Sequence, residues 1–360
     1  MAKVEMDLTP VQRPAKAAPW TKLNTRSKVL IGLASVVPAI LFVAALGVFQ
    51  LDFMAALLGV FLPMQIIASA MAGLMIFGRR GILDGLLVVV TLFLGSFVFV
   101  LLVSVLWSVV ESGFKAISPQ FIFQNNVYVT PTTGLEIGGV GHAIIGTLLV
   151  VGLTTVITVP LGLSTAVYLT ETRGKSRGLI RTLLQAMSGL PSVVTGLFIY
   201  SMLIVSGFTS YAGWAGSLAL IPLMLPTISR VAEEALRLVP AELRNGALGL
   251  GAPAWRAFFM VTLPAAKSGL VTAVLLGVAR IIGETAPLLL TTFAANNTSF
   301  NMIEGGLATL PTYLYGYVGM GYDTSLQRAW GSAFVLLLLV GILFTAARIA
   351  SRSKSVKKRK

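Results

Sequence analysis

Eight long apolar stretches set the plan of this chain. They cover residues 29–49, 54–77, 86–110, 138–161, 182–206, 215–229, 267–290 and 330–350. The runs at 86–106 and 332–347 carry no charge at all. Both approach or reach the roughly 20 residues that a helix needs to cross a bilayer. Without water to satisfy the backbone in hydrocarbon, such runs must be helices, and they lack the alternation of barrel strands. The pattern predicts an all-α, polytopic membrane protein with about eight transmembrane helices.

The polar stretches between these runs divide the chain further. Residues 1–28 read as a loosely ordered arm and 29–110 as three transmembrane helices. Residues 111–137, punctuated by Asn125, Asn126, Pro131 and Gly134, read as a loop. Five spans occupy 138–350, and a basic tail covers 351–360. Within the five-span part, 230–264 is too long for a turn. It reads as two short helices, 230–238 and 241–250, with Pro240 between them and Gly249 and Gly251 closing the second.

Composition agrees with a membrane protein: 56% of residues are hydrophobic and 11% charged, against about 25% charged in soluble domains. The net charge of +14 invites a nucleic-acid reading, which its distribution removes. With the N-terminus placed in the cytoplasm, the arm carries six Lys and Arg, Arg79 and Arg80 two, residues 171–181 four, 230–267 five and the tail from Arg348 seven. That puts 24 of 27 on the cytoplasmic side, with Lys115 and Arg328 outside and Arg280 within a span. The positive-inside rule is obeyed at every turn, so both termini are expected in the cytoplasm and the tail is expected to meet lipid rather than nucleic acid. There is no cysteine and one histidine, His142, which excludes disulfides and thiolate or histidine-cluster metal sites. His142 reads as an interfacial or packing residue. The first span is longer than a signal-peptide core and reads as retained.

Two features carry chemistry. Arg280 and Glu284 lie four residues apart, on one face if the seventh span is a continuous helix. Counted from Lys267, Arg280 is roughly 20 Å into a hydrocarbon core about 30 Å thick. Each such charge costs about 2.5–3.5 kcal/mol near a helix centre, so the pair must face protein or water. A guanidinium there suits an oxyanion, to which it makes forked bonds. Glu284 would hold it when the path is empty; the alternative is a structural ion pair. Nearby candidates are Thr285 and the break Gly189-Leu190-Pro191, which would expose backbone groups in the fifth span, with the hydroxyls of Ser192 and Thr195. Bonding between helices is the commoner use for those hydroxyls. Tyr313, Tyr315, Tyr317 and Tyr322 suit either a partner contact or an aromatic belt. The chain cannot hydrolyse nucleotide: Gly174-Lys175-Ser176 has leucine at 169, where a phosphate loop needs glycine.

The second feature is the run Asn245-Gly246-Ala247-Leu248-Gly249-Leu250-Gly251, then nine residues, then Val261-Thr262-Leu263-Pro264. It resembles the EAA loop of ABC importer permeases, with Asn245 for the usual Glu and Gly246 for the first Ala. That resemblance implies docking of this loop, with Gly251 at its sharp turn, onto a separate ATPase. The stretch Arg280-Ile281-Ile282-Gly283-Glu284-Thr285-Ala286-Pro287-Leu288, with Gly138–Leu149 and Ser188–Phe198, resembles phosphate ABC transporter permeases of the PstA type. The resemblance covers about 138–350 and implies a type I ABC importer permease core in a bacterial plasma membrane. The three spans before it contain one family-type helix and an additional pair. It also implies partners: a second permease (PstC type), an ATPase dimer (PstB type) and an extracytoplasmic phosphate-binding protein (PstS type). No cofactor is expected on this chain, since ATP and Mg belong to the partner ATPase. A permease for sulfate, molybdate or phosphonate, an ion-gradient-driven transporter and a non-transporting membrane protein are the competing readings.

Overall fold

The computed structural model describes residues 24–172, 174 and 176–351. Most of the expected N-terminal arm, Arg173, Lys175 and the basic tail beyond 351 lie outside the described residues. The described residues are helical, with no strand among them. Seven helices are long and apolar enough to cross a membrane, and a bent pair makes an eighth candidate. The chain divides into two compact units, residues 1–104 and 105–360.

The first unit holds α1 (Thr25–Gly47), α2 (Phe53–Phe77) and the first part of α3 (Arg79–Phe114). Phe42 of α1 sets its ring edgewise on Phe53 and Phe61 of α2, at 5.7 and 5.6 Å. Between α2 and α3 the chain reverses at Gly78, whose φ of 69° favours glycine. The two helices then meet backbone to backbone. A Cβ on Gly73 would fall 2.0 Å from the Gly81 carbonyl oxygen, and one on Gly85 2.5 Å from that of Ser69. Small residues four apart on each helix permit this approach, as in membrane helix pairs generally. Arg79 and Arg80 open α3 rather than occupying the turn.

In the second unit, α3 ends at Phe114, and a short helix, α4 (Pro119–Phe123), is capped by the Ser118 hydroxyl. The segment expected to be plain loop is therefore partly helical. Next come α5 (Gly141–Glu171), α6 (Ser176–Ser188), α7 (Ser192–Val205), α8 (Gly213–Arg237) and α9 (Ala241–Gly249). The chain continues through α10 (Ala254–Ile282), α11 (Ala286–Thr291), α12 (Leu310–Val318) and α13 (Asp323–Ser351).

The interior is built on α5 and α8. Val150, Leu220, Leu223, Met224, Ile228, Ile281 and Leu288 form one buried cluster. Hydroxyls tie the two helices: Ser217 Oγ donates to the Val150 carbonyl (3.0 Å) and Thr154 Oγ1 to that of Ser217 (3.2 Å).

The expected break divides the fifth span, where α6 and α7 meet at a 98° bend. Pro191 has no N–H to continue α6 and biases Leu190 away from helical angles, so the break at Gly189–Pro191 is sharp. Residues 230–237 are not a separate short helix but the last two turns of α8, since nothing breaks the helix before Pro240. The seventh span ends at Ile282 and resumes as α11, so 267–290 is interrupted at Gly283–Thr285. Two of the three wide π turns among the described residues, Leu57–Phe61 and Phe258–Thr262 but not Tyr200–Val205, run up to a proline two residues on (Pro63, Pro264). There the Leu62 and Leu263 N–H groups reach back to Leu57 and Phe258. A proline removes the next helical bond and crowds the carbonyl four residues back, and widening the turn accommodates both.

Candidate functional site

The interruption of the seventh span forms the first part of the site. Gly283 ends α10, and the Glu284 N–H closes a tight turn on the Ile281 carbonyl (3.1 Å). Arg280, in the last turn of α10, donates through Nη1 to the Glu284 carboxylate. The expected pair forms, but Glu284 sits past the helix end rather than on a shared helix face. The two side chains are unequally placed: Glu284 is 13% exposed and Arg280 49%. The arginine therefore keeps donors open at the surface of this chain while its carboxylate partner is largely covered. Thr285 stands at the N-cap of α11, half-buried.

The fifth-span candidates distribute over the neighbouring elements. Gly189 and Pro191 are exposed at the bend. Ser192 opens α7 half-buried, and buried Thr195 donates its hydroxyl to the Ser192 carbonyl (2.8 Å). One turn of α7 thus uses the Thr195 proton internally. The residue that joins α7 to the site is one the motif search did not weigh for it. Gly196 packs on α11 so closely that a Cβ there would lie 2.5 Å from the Pro287 Cα. This contact brings the Ser-Gly-Leu-Pro stretch against the Gly-Glu-Thr-Ala-Pro stretch.

The second part of the site is α9 with the turn that follows. Asn245 and Gly246 are exposed on α9, and Ala247 is half-buried. Gly251 turns the chain with φ of 83°, leading through α10's first turns to Leu263 and Pro264. Apolar side chains stand out around this turn, Leu250 at 91% exposure with Leu238 and Trp255 also open. What holds the element was not legible: Arg244 of α9 makes a two-pronged bond to Glu171, the last residue of α5 (2.5 and 2.9 Å). Glu233 of α8 likewise takes Arg181 of α6 at 2.5 Å and Arg237 of α8 at 2.6 Å. These carboxylates lie 73 and 52 residues from their partners on α9 and α6, so no local pattern announces the pairs.

At the opposite end of α5 the tyrosines separate. Tyr315 and Tyr322 are exposed, whereas Tyr313 and Tyr317 are buried and stacked at 4.4 Å. The latter two belong to the core, not to a belt or a partner surface. His142 is buried with its ring edge on Tyr313, centroids 5.6 Å apart, as a packing residue.

The fold and these sites define a multi-pass membrane protein with an interrupted intramembrane helix and a helical element off the bundle's arginine-rich end. Residues 158–353 match the family model described as binding-protein-dependent transport system inner membrane component. The phosphate transport system permease protein PstA 1 of Mycobacterium tuberculosis is 36% identical over 264 residues, spanning 72% of this chain and 86% of that protein. The PstA proteins of Pasteurella multocida (37% over 253 residues; 70% and 88% of the two chains) and Mycobacterium leprae (39% over 213; 58% and 70%) are also similar. Among solved structures, an inward-facing methionine ABC transporter, MetNI, aligns with 58% of this chain and 91% of its own at 20% identity and a TM-score of 0.45. The chain belongs to the binding-protein-dependent transport system inner membrane component family.

Proposed function

We propose that this chain is the membrane-spanning permease subunit of an ATP-driven importer that carries inorganic phosphate into a bacterial cell. The carrying observation is Arg280: a guanidinium in the last turn of a broken intramembrane helix, restrained by Glu284 yet half open. A charge so placed is a functional-site candidate by default, and a guanidinium matches the oxygens of phosphate. The names of the relatives, over more than two thirds of their length, point the same way. Glu284 would occupy the guanidinium between ions and keep the anion from binding too tightly to leave. Gly189, Pro191, Ser192, Thr195 and Thr285 border the proposed path on α6, α7 and α11.

In this reading both termini and α9 are cytoplasmic. The element from Asn245, Gly246 and Ala247 through Gly251 to Leu263 and Pro264 receives a partner ATPase, whose ATP and Mg drive the cycle. Asn245 in place of Glu changes one polar contact there; the exposed Leu250 and Trp255 provide apolar anchors. A second permease completes the path, and an extracytoplasmic binding protein delivers phosphate to the outer mouth.

The test is labelled-phosphate uptake in phosphate-starved cells lacking this gene, complemented with wild type or Arg280→Gln. Uptake that returns with the wild type alone, resists sulfate and yields to arsenate is expected. Wild-type rescue of sulfate uptake instead of phosphate would overturn the substrate, and equal rescue by Arg280→Gln would overturn the role of Arg280.

A further inference from the structure

Arg328 is the largest fully buried side chain among the described residues, at 0% exposure. A buried charge without a partner costs several kcal/mol, yet the ion pairs of the described residues do not include it. Nor can the nearby phenols act as counter-ions. Burial pushes both Tyr313 and Tyr317 above the ordinary tyrosine range, so they remain neutral. Nη2 meets backbone, while Nε and Nη1 are buried with no hydrogen-bond partner among the described residues. Nη2 lies 2.7 Å from the carbonyl oxygens of both Gly134 and Ile137, and 3.4 Å from that of Thr133. One turn earlier on α13, the hydroxyls of Thr324 and Ser325 both donate to the Pro131 carbonyl, at 2.6 and 2.9 Å. From the other side, Asn126, also fully buried, donates through Nδ2 to the hydroxyls of Tyr313 (3.3 Å) and Tyr317 on α12. Its backbone N–H donates to the Asn296 carbonyl (2.9 Å). A segment with few apolar anchors of its own is thus bonded at both ends to two helices nearly 200 residues later.

We infer that Arg328 is a positioning residue: it pins residues 126–137 to the start of α13, so that the outer mouth meets its extracytoplasmic partner as one preformed surface. The Thr133, Gly134 and Ile137 carbonyls converge on the one nitrogen Nη2, so a single charged donor gathers three residues of the segment. Carbonyl dipoles stabilise the charge in place of a carboxylate, and releasing it would free the segment and leave buried carbonyls unpaired. A preformed surface binds without first ordering a loop, so the pin acts on partner affinity more than on turnover. The part of the inference that concerns transport rests on the proposed function; the pinning does not.

The chain has no cysteine, so Thr132→Cys offers a single spin-label position on this chain, labelled before it is assembled into the reconstituted transporter. With Arg328 present the label is expected to be immobilised, and with Arg328→Gln it should become mobile. Over the same proteins, the binding-protein concentration giving half-maximal phosphate uptake should rise roughly tenfold, the scale of one lost charge-assisted bond, with maximal uptake retained. A label already mobile beside Arg328, or still immobilised beside Arg328→Gln, would overturn the pin whether or not phosphate is transported. A mobile label with unchanged half-saturation would overturn its role in partner presentation. Should Arg328→Gln fail to assemble, Tyr317→Phe removes one hydroxyl from the Asn126 side. It should shift label mobility and half-saturation in the same direction by a smaller factor, and no shift in either would count against the inference.

Discussion

Arg280 and Arg328 are the two arginines that the charge count leaves off the cytoplasmic side, and their surroundings are opposite. Arg280 ends a helix within the membrane-spanning part, is half open and is paired with a carboxylate. Arg328 lies near the start of a helix, is wholly buried and is held through Nη2 by carbonyl groups, with no carboxylate among the described residues in an ion pair with it. A charge whose partner leaves part of it open retains bonds that can be exchanged for those of an incoming ion. A charge buried whole, with one nitrogen bonded to converging backbone carbonyls, is committed to one arrangement. Under the proposed function, the comparison places Arg280 on the transport path and Arg328 in the scaffold that presents it.

The largest effect should come from removing the committed charge. Arg328→Ala leaves the Gly134 and Ile137 carbonyls without their donor and opens a void, a combination expected to cost about 3–5 kcal/mol. Thermal unfolding of the purified protein in detergent measures it. A loss no larger than that of a surface substitution would erase the distinction between the two arginines.

The sequence and the structure part company in a way that has a physical reason. The number of spans, the all-α class, the break at Pro191 and the turn at Gly251 were legible because each depends on local chemistry: apolar length, a missing N–H, a residue free to take positive φ. The role of Arg328 was not, because by charge count it is merely one of two basic residues on the outer side. Its burial depends on carbonyl groups about 190 residues earlier. Glu171 and Glu233 were missed for the same reason. The Arg280–Glu284 pair was half legible: the residues were identified, but the assumption of a continuous helix hid the turn that Gly283 introduces. Even so, the pair closes across that turn, because a tight turn keeps residues four apart within reach.

A next, smaller effect is expected where the proposed path is bordered by the close approach of Gly196 to Pro287. Gly196→Ala drives a methyl group into Pro287, and overpacking of this kind costs about 1–3 kcal/mol. The strain should separate α7 from α11 and lower phosphate uptake while leaving co-purification of the ATPase intact. If uptake is unchanged, the contact between the two motif stretches is packing alone, and Arg280 loses the neighbour that makes its surroundings a path.

Smaller still, and of opposite sign, is the effect at the coupling element. Gly246 lies mid-helix in α9 with open space where a Cβ would be, and the family-type residue there is alanine. Gly246→Ala should stabilise α9 by about 0.5–1 kcal/mol through reduced backbone entropy of the unfolded chain. Slower hydrogen exchange across residues 241–249, with the Arg280 region unaltered, is the expected readout. Gly251 is the contrast: its positive φ makes Gly251→Ala unfavourable by about 1–2 kcal/mol.

The smallest change in stability should accompany the largest change in function. Arg280→Gln removes a half-exposed ion pair between residues in one turn, and pairs of that kind contribute about 0–1 kcal/mol. Glu284, largely covered, loses its cation, but the glutamine amide can still donate to it, so the fold at Gly283 should persist. The unfolding temperature should therefore stay close to wild type while uptake is lost, the reverse of what a scaffold charge would show. If Arg280→Gln instead unfolds the protein as severely as Arg328→Ala, the arginine is holding the broken helix together. Its openness would then reflect the absence of a neighbouring subunit rather than a place kept for an anion. The two melting curves, taken beside the two uptake assays, separate a charge that waits for a ligand from one that already has its partners.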